Sequence, residues 1–177
     1  MGGKPVTKEK ALERMASLCS RSEQCEFELL RKLSLWGISS QDKKEILEYL
    51  RHNRFVDDLR YAKSFANDKA RFSAWGPYKI KAELLKRQIK STQINEALHG
   101  VQPGIWKEAL LKSAKSKAAH LRLSGEEGYA DRRKLFNYLI GRGFSSSTSS
   151  KAVALMRRNQ ENTGSDNSQG RDTGPDN

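Results

Sequence analysis

An all-α fold of tandem three-helix repeats in an elongated body is predicted for this chain on three observations. Apolar residues recur at helix spacing, without any sustained period-2 alternation of β-branched residues and without an Asn-Gly hairpin dipeptide. One helix–turn–helix pattern occurs three times. The hydrophobic share of 36% lies below the usual share of about 45–50%, which suits a row of small helical units better than one large core.

The helices are read in chain order. Ala11, Leu12, Met15, Ala16 and Cys19 form the first apolar stripe, and Phe27, Leu30 and Leu33 the second. Ile46, Leu47 and Leu50 follow, then Tyr61, Phe65 and Ala66. The repeat appears once helix ends are aligned. Its first copy is Leu29, Leu33, Gly37, Ile38, then Ser39-Ser40 and Ile46, Leu47, Leu50. The second is Ile80, Leu84, Gln88, Ile89, then Lys90-Ser91 and Ile94, Ala97, Leu98. The third is Leu135, Leu139, Gly143, Phe144, then Ser145-Ser146 and Ala152, Val153, Met156.

A helix that ends on a left-handed residue folds the next apolar side chain back onto its last turn. Gly37 and Gly143 suit that role, pairing Ile38 with Leu33 and Phe144 with Leu139. Gln88 takes it in the middle copy at a backbone cost of about 1 kcal/mol. The serines that follow suit the N-cap of the next helix. Asp57 or Asp58 is expected to cap a helix running to about Arg71, and Pro103 to open one running through about Leu121. Gly76-Pro77 separates the first copy from the second, and Ser124-Gly125-Glu126-Glu127-Gly128 forms a polar linker. The expected organisation is an N-terminal segment (1–7), three-helix modules over 8–73 and 74–123, a shorter helical module over 124–158, and a disordered polar tail over 159–177.

Charge is uneven. The chain carries a formal +12. Its last 19 residues hold one Arg and four acids, so the preceding 158 carry 32 basic and 17 acidic side chains. Such a body points to a polyanionic or acidic partner. No apolar run approaches the roughly 20 residues of a membrane span, and no apolar stretch follows the N-terminal lysines as a secretory signal requires. With only Cys19 and Cys25, no disulfide framework is expected, and a soluble cytoplasmic protein is the reading.

Catalytic constellations are missing from the pattern. His52, His99 and His120 stand singly, as helix-surface residues do, and Cys19 and Cys25 are neither C-x-x-C nor an i, i+4 pair. Asp57-Asp58 reads as a helix start rather than a general acid–base pair. Neither phosphate-binding glycine motif is present. We therefore expect no enzyme, no metal and no cofactor.

The basic residues are more informative. Arg60, Lys63, Lys69, Arg71, Lys79, Lys81, Lys86, Arg87 and Lys90 face only Asp68 and Glu83 within residues 60–90. Phe72, Trp75 and Tyr78 interleave with them. Such cations neutralise phosphates and exposed aromatics stack on unpaired bases, but here the aromatics are expected to bury the joint between modules. A second run, Lys107, Lys112, Lys115, Lys117 and Arg122, is opposed by Glu108 alone, and Lys112 and Lys115 share a helix face. No second helix of a repeat opens with the Arg, Asn and Gln cluster of a base-reading helix, so sequence-specific reading is not expected.

The block Phe55-Val56-Asp57-Asp58-Leu59-Arg60-Tyr61-Ala62-Lys63-Ser64-Phe65, followed by Gly76-Pro77-Tyr78-Lys79-Ile80-Lys81-Ala82-Glu83-Leu84, resembles the hallmark segment of the RecX family. Ser22-Glu23 with Leu29, Leu30, Lys32, Leu33 and Gly37-Ile38 resembles that family's first module, and the likeness covers about residues 8–156. Gln88, where the family usually has Gly, and the serine-rich Ser145 to Ser150 depart from it. The resemblance implies a curved, elongated body of three-helix repeats that binds along the groove of the RecA–DNA filament, needs no cofactor, and inhibits recombinase, strand-exchange and ATPase activities. It implies as partners the RecA filament and single- or double-stranded DNA, with no membrane and a monomeric state. The competing expectation is a free-standing, sequence-independent DNA-binding protein that coats DNA. An enzyme of unknown chemistry would need a cleft of clustered titratable groups.

Overall fold

A computed structural model describes residues 6–166, with side chains through residue 162. Among the described residues there are nine helices and no strand: α1 (Lys8–Arg21), α2 (Glu26–Leu35), α3 (Ser40–His52), α4 (Asp58–Arg71), α5 (Pro77–Lys86), α6 (Ser91–His99), α7 (Pro103–Ala118), α8 (Tyr129–Gly141) and α9 (Ser146–Asp166). The starts follow side-chain chemistry. Thr7 and Ser39 hydroxyls accept the Lys10 and Asp42 N–H groups at 3.4 and 3.1 Å, satisfying donors that have no intrahelical partner. Pro77 and Pro103 open α5 and α7, where a missing N–H costs nothing.

The three reversals are built alike. Gly37, Gln88 and Gly143 all take positive φ, at +72°, +57° and +92°. The next apolar residue returns its N–H to the helix: Ile38 to the Leu33 carbonyl at 3.1 Å, Ile89 to Leu84 at 3.2 Å, and Phe144 to Leu139 at 3.2 Å. This is the closure expected of a left-handed helix stop. Leu29, Leu33, Ile80, Leu84, Leu135 and Leu139 are fully buried as a result. Gln88 holds the strained backbone because releasing it would expose Ile89, which is 3% exposed.

The chain divides into two compact units. The first takes the residues up to Asp68 together with Lys81–Val101, and the second takes Lys69–Ile80 together with the chain from Gln102. In the first, Ala11 and Met15 of α1 close over Leu29, Leu33, Ile46, Leu47 and Leu50 of α2 and α3. In the second, Ala109, Ala114 and Ala118 of α7 meet Leu135 and Leu139 of α8 and Ala152 and Met156 of α9. Alanines at these α7 positions let the helices approach closely.

Several expected boundaries move. Residues 8–73 hold four helices rather than three, because the Ala11–Met15 stripe is a full helix of the first core. Helix α7 packs on α8 and α9, and it ends at Ala118 rather than Leu121. Ser91 is the first residue of α6, not its cap; Lys90 stands at the cap position without a side-chain bond. The polar tail was expected from Asn159, but α9 continues to Asp166. Gln160 explains its early part: its amide donates to the Leu121 and Ala118 carbonyls at 2.9 and 3.3 Å and accepts the Leu123 N–H at 2.9 Å. The rest of that tail, residues 167–177, lies outside the described residues.

Candidate nucleic-acid interface

The hallmark block proves to be a folding element. Asp57 caps α4, its carboxylate accepting the Leu59 and Arg60 N–H groups at 2.8 and 3.0 Å. Asp58 does something the chain order conceals. Its carboxylate accepts the Glu26 N–H at 3.0 Å and so caps α2, whose own cap residue, Cys25, makes no side-chain cap bond. Burial pushes the Asp58 carboxyl above its ordinary range, against the pull of that hydrogen bond. Val56 and Ala62 are core residues.

The candidate contacts separate into committed and uncommitted cations. Arg60 is committed: it pairs with Glu23 at 2.6 Å and donates to the Arg54 and Phe55 carbonyls. Arg87 is half-buried, donates to the Glu83 carbonyl at 2.8 Å and its carboxylate at 3.1 Å, and lies 5.2 Å over the Phe65 ring. That ring stacks on Tyr61, whose phenol burial pushes upward. Burial opposes the Arg87 charge, yet the hydrogen bond to Glu83 and the nearby anionic groups keep its pKa raised. Lys63 pairs with Glu96 at 2.7 Å and Lys86 with Glu83 at 2.8 Å. By contrast Arg71, Lys81, Lys90, Lys112 and Lys115 are exposed and make no ion pair among the described residues. Lys117 lies 5.8 Å over the Tyr138 ring.

The unit division also splits the 60–90 run. Arg60, Lys63, Lys81, Lys86, Arg87 and Lys90 belong to the first unit, while Lys69, Arg71 and Lys79 belong to the second with Lys112, Lys115 and Lys117. Within the second unit, Lys69 and Lys79 lie 5.4 and 4.6 Å from the centre of the Trp75 ring. The neighbouring aromatics do not bury a joint, as the sequence suggested. Phe72 is 76% and Tyr78 63% exposed.

What positions these residues is a close backbone approach. The Gly76 N–H donates to the Arg142 carbonyl at 2.7 Å and the Tyr78 N–H to the Gly143 carbonyl at 3.1 Å. A Cβ on Gly76 would meet the Gly143 oxygen at 2.3 Å, and one on Gly143 would meet the Lys79 nitrogen at 2.4 Å. Only glycine fits on either side of that contact. Arg142 clasps the same loop by donating to the Ser73 carbonyl, and to that of Ala74 at 3.3 Å, while Ser113 donates to Ala74 at 3.1 Å. Ala74 is thereby held at φ +50°. Neither Arg142 nor Trp106, which lines a groove beside Tyr78, was singled out from sequence. Their partners lie tens of residues away, and no spacing signals them.

No group of three His, Cys, Asp or Glu side chains able to hold a metal occurs among the described residues. Burial pushes the Cys19 and Cys25 thiols upward, away from the reactive thiolate. His52, His99 and His120 are exposed. No described helix is long and apolar enough to cross a membrane.

Comparison with known proteins gives consistent findings. Residues 57–98, which span α4 to α6, match the model for "RecX, second three-helix domain". The chain is 31% identical over 145 residues to the regulatory protein RecX of Xanthomonas campestris pv. campestris, covering 80% of this chain and 85% of that one. It is 27% identical over 135 residues to that of Clostridium botulinum strain Alaska E43, covering 76% of this chain but only 63% of the relative's length. The crystal structure of a regulatory protein RecX superimposes with a TM-score of 0.70 at 27% identity, covering 80% of this chain and 68% of that one.

Proposed function

Because this chain belongs to the RecX family, we propose that it binds the RecA–DNA filament and inhibits the recombinase's ATP hydrolysis and strand exchange, acting in the cytoplasm as a non-enzymatic monomer. Family membership carries the proposal. The uncommitted cations support it: Arg71, Lys81, Lys90, Lys112 and Lys115 are available to phosphate or acidic protein surface. Arg60, Lys63 and Arg87 link separate segments, through Glu23, Glu96 and the Phe65 ring, while Lys86 pairs with Glu83 within its own helix. The modules are best framed as α1–α3, α4–α6 and α7–α9, in keeping with the two cores and with the matched residues 57–98.

The assay is RecA's DNA-dependent ATP hydrolysis. A small excess of this protein should slow it, and undiminished hydrolysis at saturating amounts would sink the proposal. A second reading, direct coating of single-stranded DNA, draws support from Trp75 between two lysines and from exposed Phe72 and Tyr78. Salt titration on naked DNA separates the two. Tight, steeply salt-dependent binding that RecA does not enhance favours the second reading.

A further inference from the structure

Within the second unit, the first turns of three helices meet at one groove of about 610 Å³. Pro77 and Tyr78 come from the start of α5, Trp106 and Lys107 with Leu110 from the N-terminal half of α7, and Phe144, Ser145 and Thr148 from the reversal into α9. The walls are dominated by Pro77, Tyr78, Trp106, Leu110 and Phe144, so the space suits a bulky apolar group. The Gly76–Gly143 approach fixes this arrangement, because the Tyr78 backbone is bonded to Gly143 next to Phe144.

The groove also has an electrostatic sign. The first turns of α5, α7 and α9 contain no acidic residue, a feature they share with α6, whereas α1, α3, α4 and α8 each carry one and α2 carries two. The start of α7 has neither an acid nor a side-chain cap and presents a partial positive charge of roughly half a unit. The starts of α5 and α9 are partly satisfied by the Gly143 carbonyl and the Ser145 hydroxyl, and exposed Lys107 adds a whole charge at the rim. Glu108 follows Lys107 about 100° further round α7. An apolar guest flanked by carboxylates matches both features.

The wall hydroxyls offer a guest little hydrogen bonding. The Ser145 hydroxyl accepts the Thr148 N–H at 3.2 Å and meets the Thr148 hydroxyl at 2.9 Å, and the latter donates to the Ser145 carbonyl at 3.1 Å. Both are committed to capping α9 and are poorly placed to read the edge of a base. We propose that this groove docks an acidic segment of a partner protein through one bulky apolar or aromatic side chain. The site goes beyond the filament-binding reading and does not depend on it.

The test uses the full chain labelled with ¹⁵N and two probe peptides, DDELF and its control DDEAA, followed through the Trp106 indole N–H, which a Trp106→Phe variant assigns. DDELF at up to about 5 mM should shift that resonance and those of Tyr78 and Lys107, with DDEAA at least about tenfold weaker. Tyr78→Ser and Lys107→Glu, both at exposed positions, should each weaken DDELF about five- to tenfold with unchanged helical circular dichroism. No shift, equal binding of DDEAA, or unaffected binding by both variants would overturn the proposal. So would a ten-residue oligo-dT that moves these resonances where DDELF does not; the groove would then be a base site.

Discussion

Replacing Gly76 with alanine isolates the backbone approach that organises the second unit. Gly76 does not occupy the positive-φ region, so the change adds bulk without left-handed strain. The new Cβ would stand 2.3 Å from the Gly143 oxygen, 2.4 Å from its carbon and 2.7 Å from the Phe144 nitrogen, all backbone atoms without a rotamer to escape into. Ordinary contact needs about 3.4 Å, so the segments must part by about 1 Å. That separation stretches the Gly76–Arg142 and Tyr78–Gly143 hydrogen bonds, now 2.7 and 3.1 Å, past useful length. Two impaired bonds at about 1–2 kcal/mol each, with under about 1 kcal/mol for a poorer helix cap, give a loss near 3 kcal/mol. Gly37→Ala is the control: φ is +72° and nothing lies within 4 Å, so only the left-handed penalty of about 1 kcal/mol applies. Urea denaturation followed by tryptophan fluorescence and circular dichroism measures both. A Gly76→Ala loss below about 0.5 kcal/mol, or no larger than that of Gly37→Ala, would refute the steric account.

Other outcomes follow from the same geometry. Gln88→Gly should stabilise by about 1 kcal/mol, raising Tm by roughly 2–4 °C, because it relieves φ +57° without touching the buried Ile89. Asp58→Asn keeps the oxygen that caps α2 but removes a carboxyl whose pKa burial raises. Raised folded-state pKa means the wild-type carboxyl's contribution is greatest when protonated and falls as pH rises through the carboxylate range. Urea midpoints at pH 3, 5 and 7 should therefore show Asn gaining on Asp as pH increases, and a flat or opposite trend would contradict this. Arg87→Ala should cost about 1–3 kcal/mol of stability while leaving DNA affinity nearly unchanged, since its donors serve Glu83. The quadruple change of Arg71, Lys81, Lys112 and Lys115 to Ala should do the reverse, cutting the salt slope on single-stranded DNA by about 3 with the melting curve preserved.

The reversals were legible because their causes are local. An apolar residue after a glycine, with leucine five positions before it, specifies a left-handed stop and the burial that accompanies it. Even Gln88 could be placed by alignment with Gly37 and Gly143, and its φ agrees. A cap on α4 at Asp57 or Asp58 was readable for the same reason. That Asp58 instead caps α2 was not, because its acceptor role depends on Glu26, 32 residues earlier. The basic run shows the same limit: composition located the charge, but whether Arg60 is engaged depends on Glu23, 37 residues earlier, lying beside it.

The sequence by itself determined the helices, their stops, the repeat and the sign of the surface, since each depends on contacts within a turn or two of chain. Tertiary structure alone decided that Arg60 and Lys63 are already engaged, that Phe72 and Tyr78 face solvent, and that Trp106 and Phe144 line one groove. Those outcomes rest on encounters between residues tens of positions apart, above all Gly76 with Gly143, and no local spacing encodes the distance between two backbones.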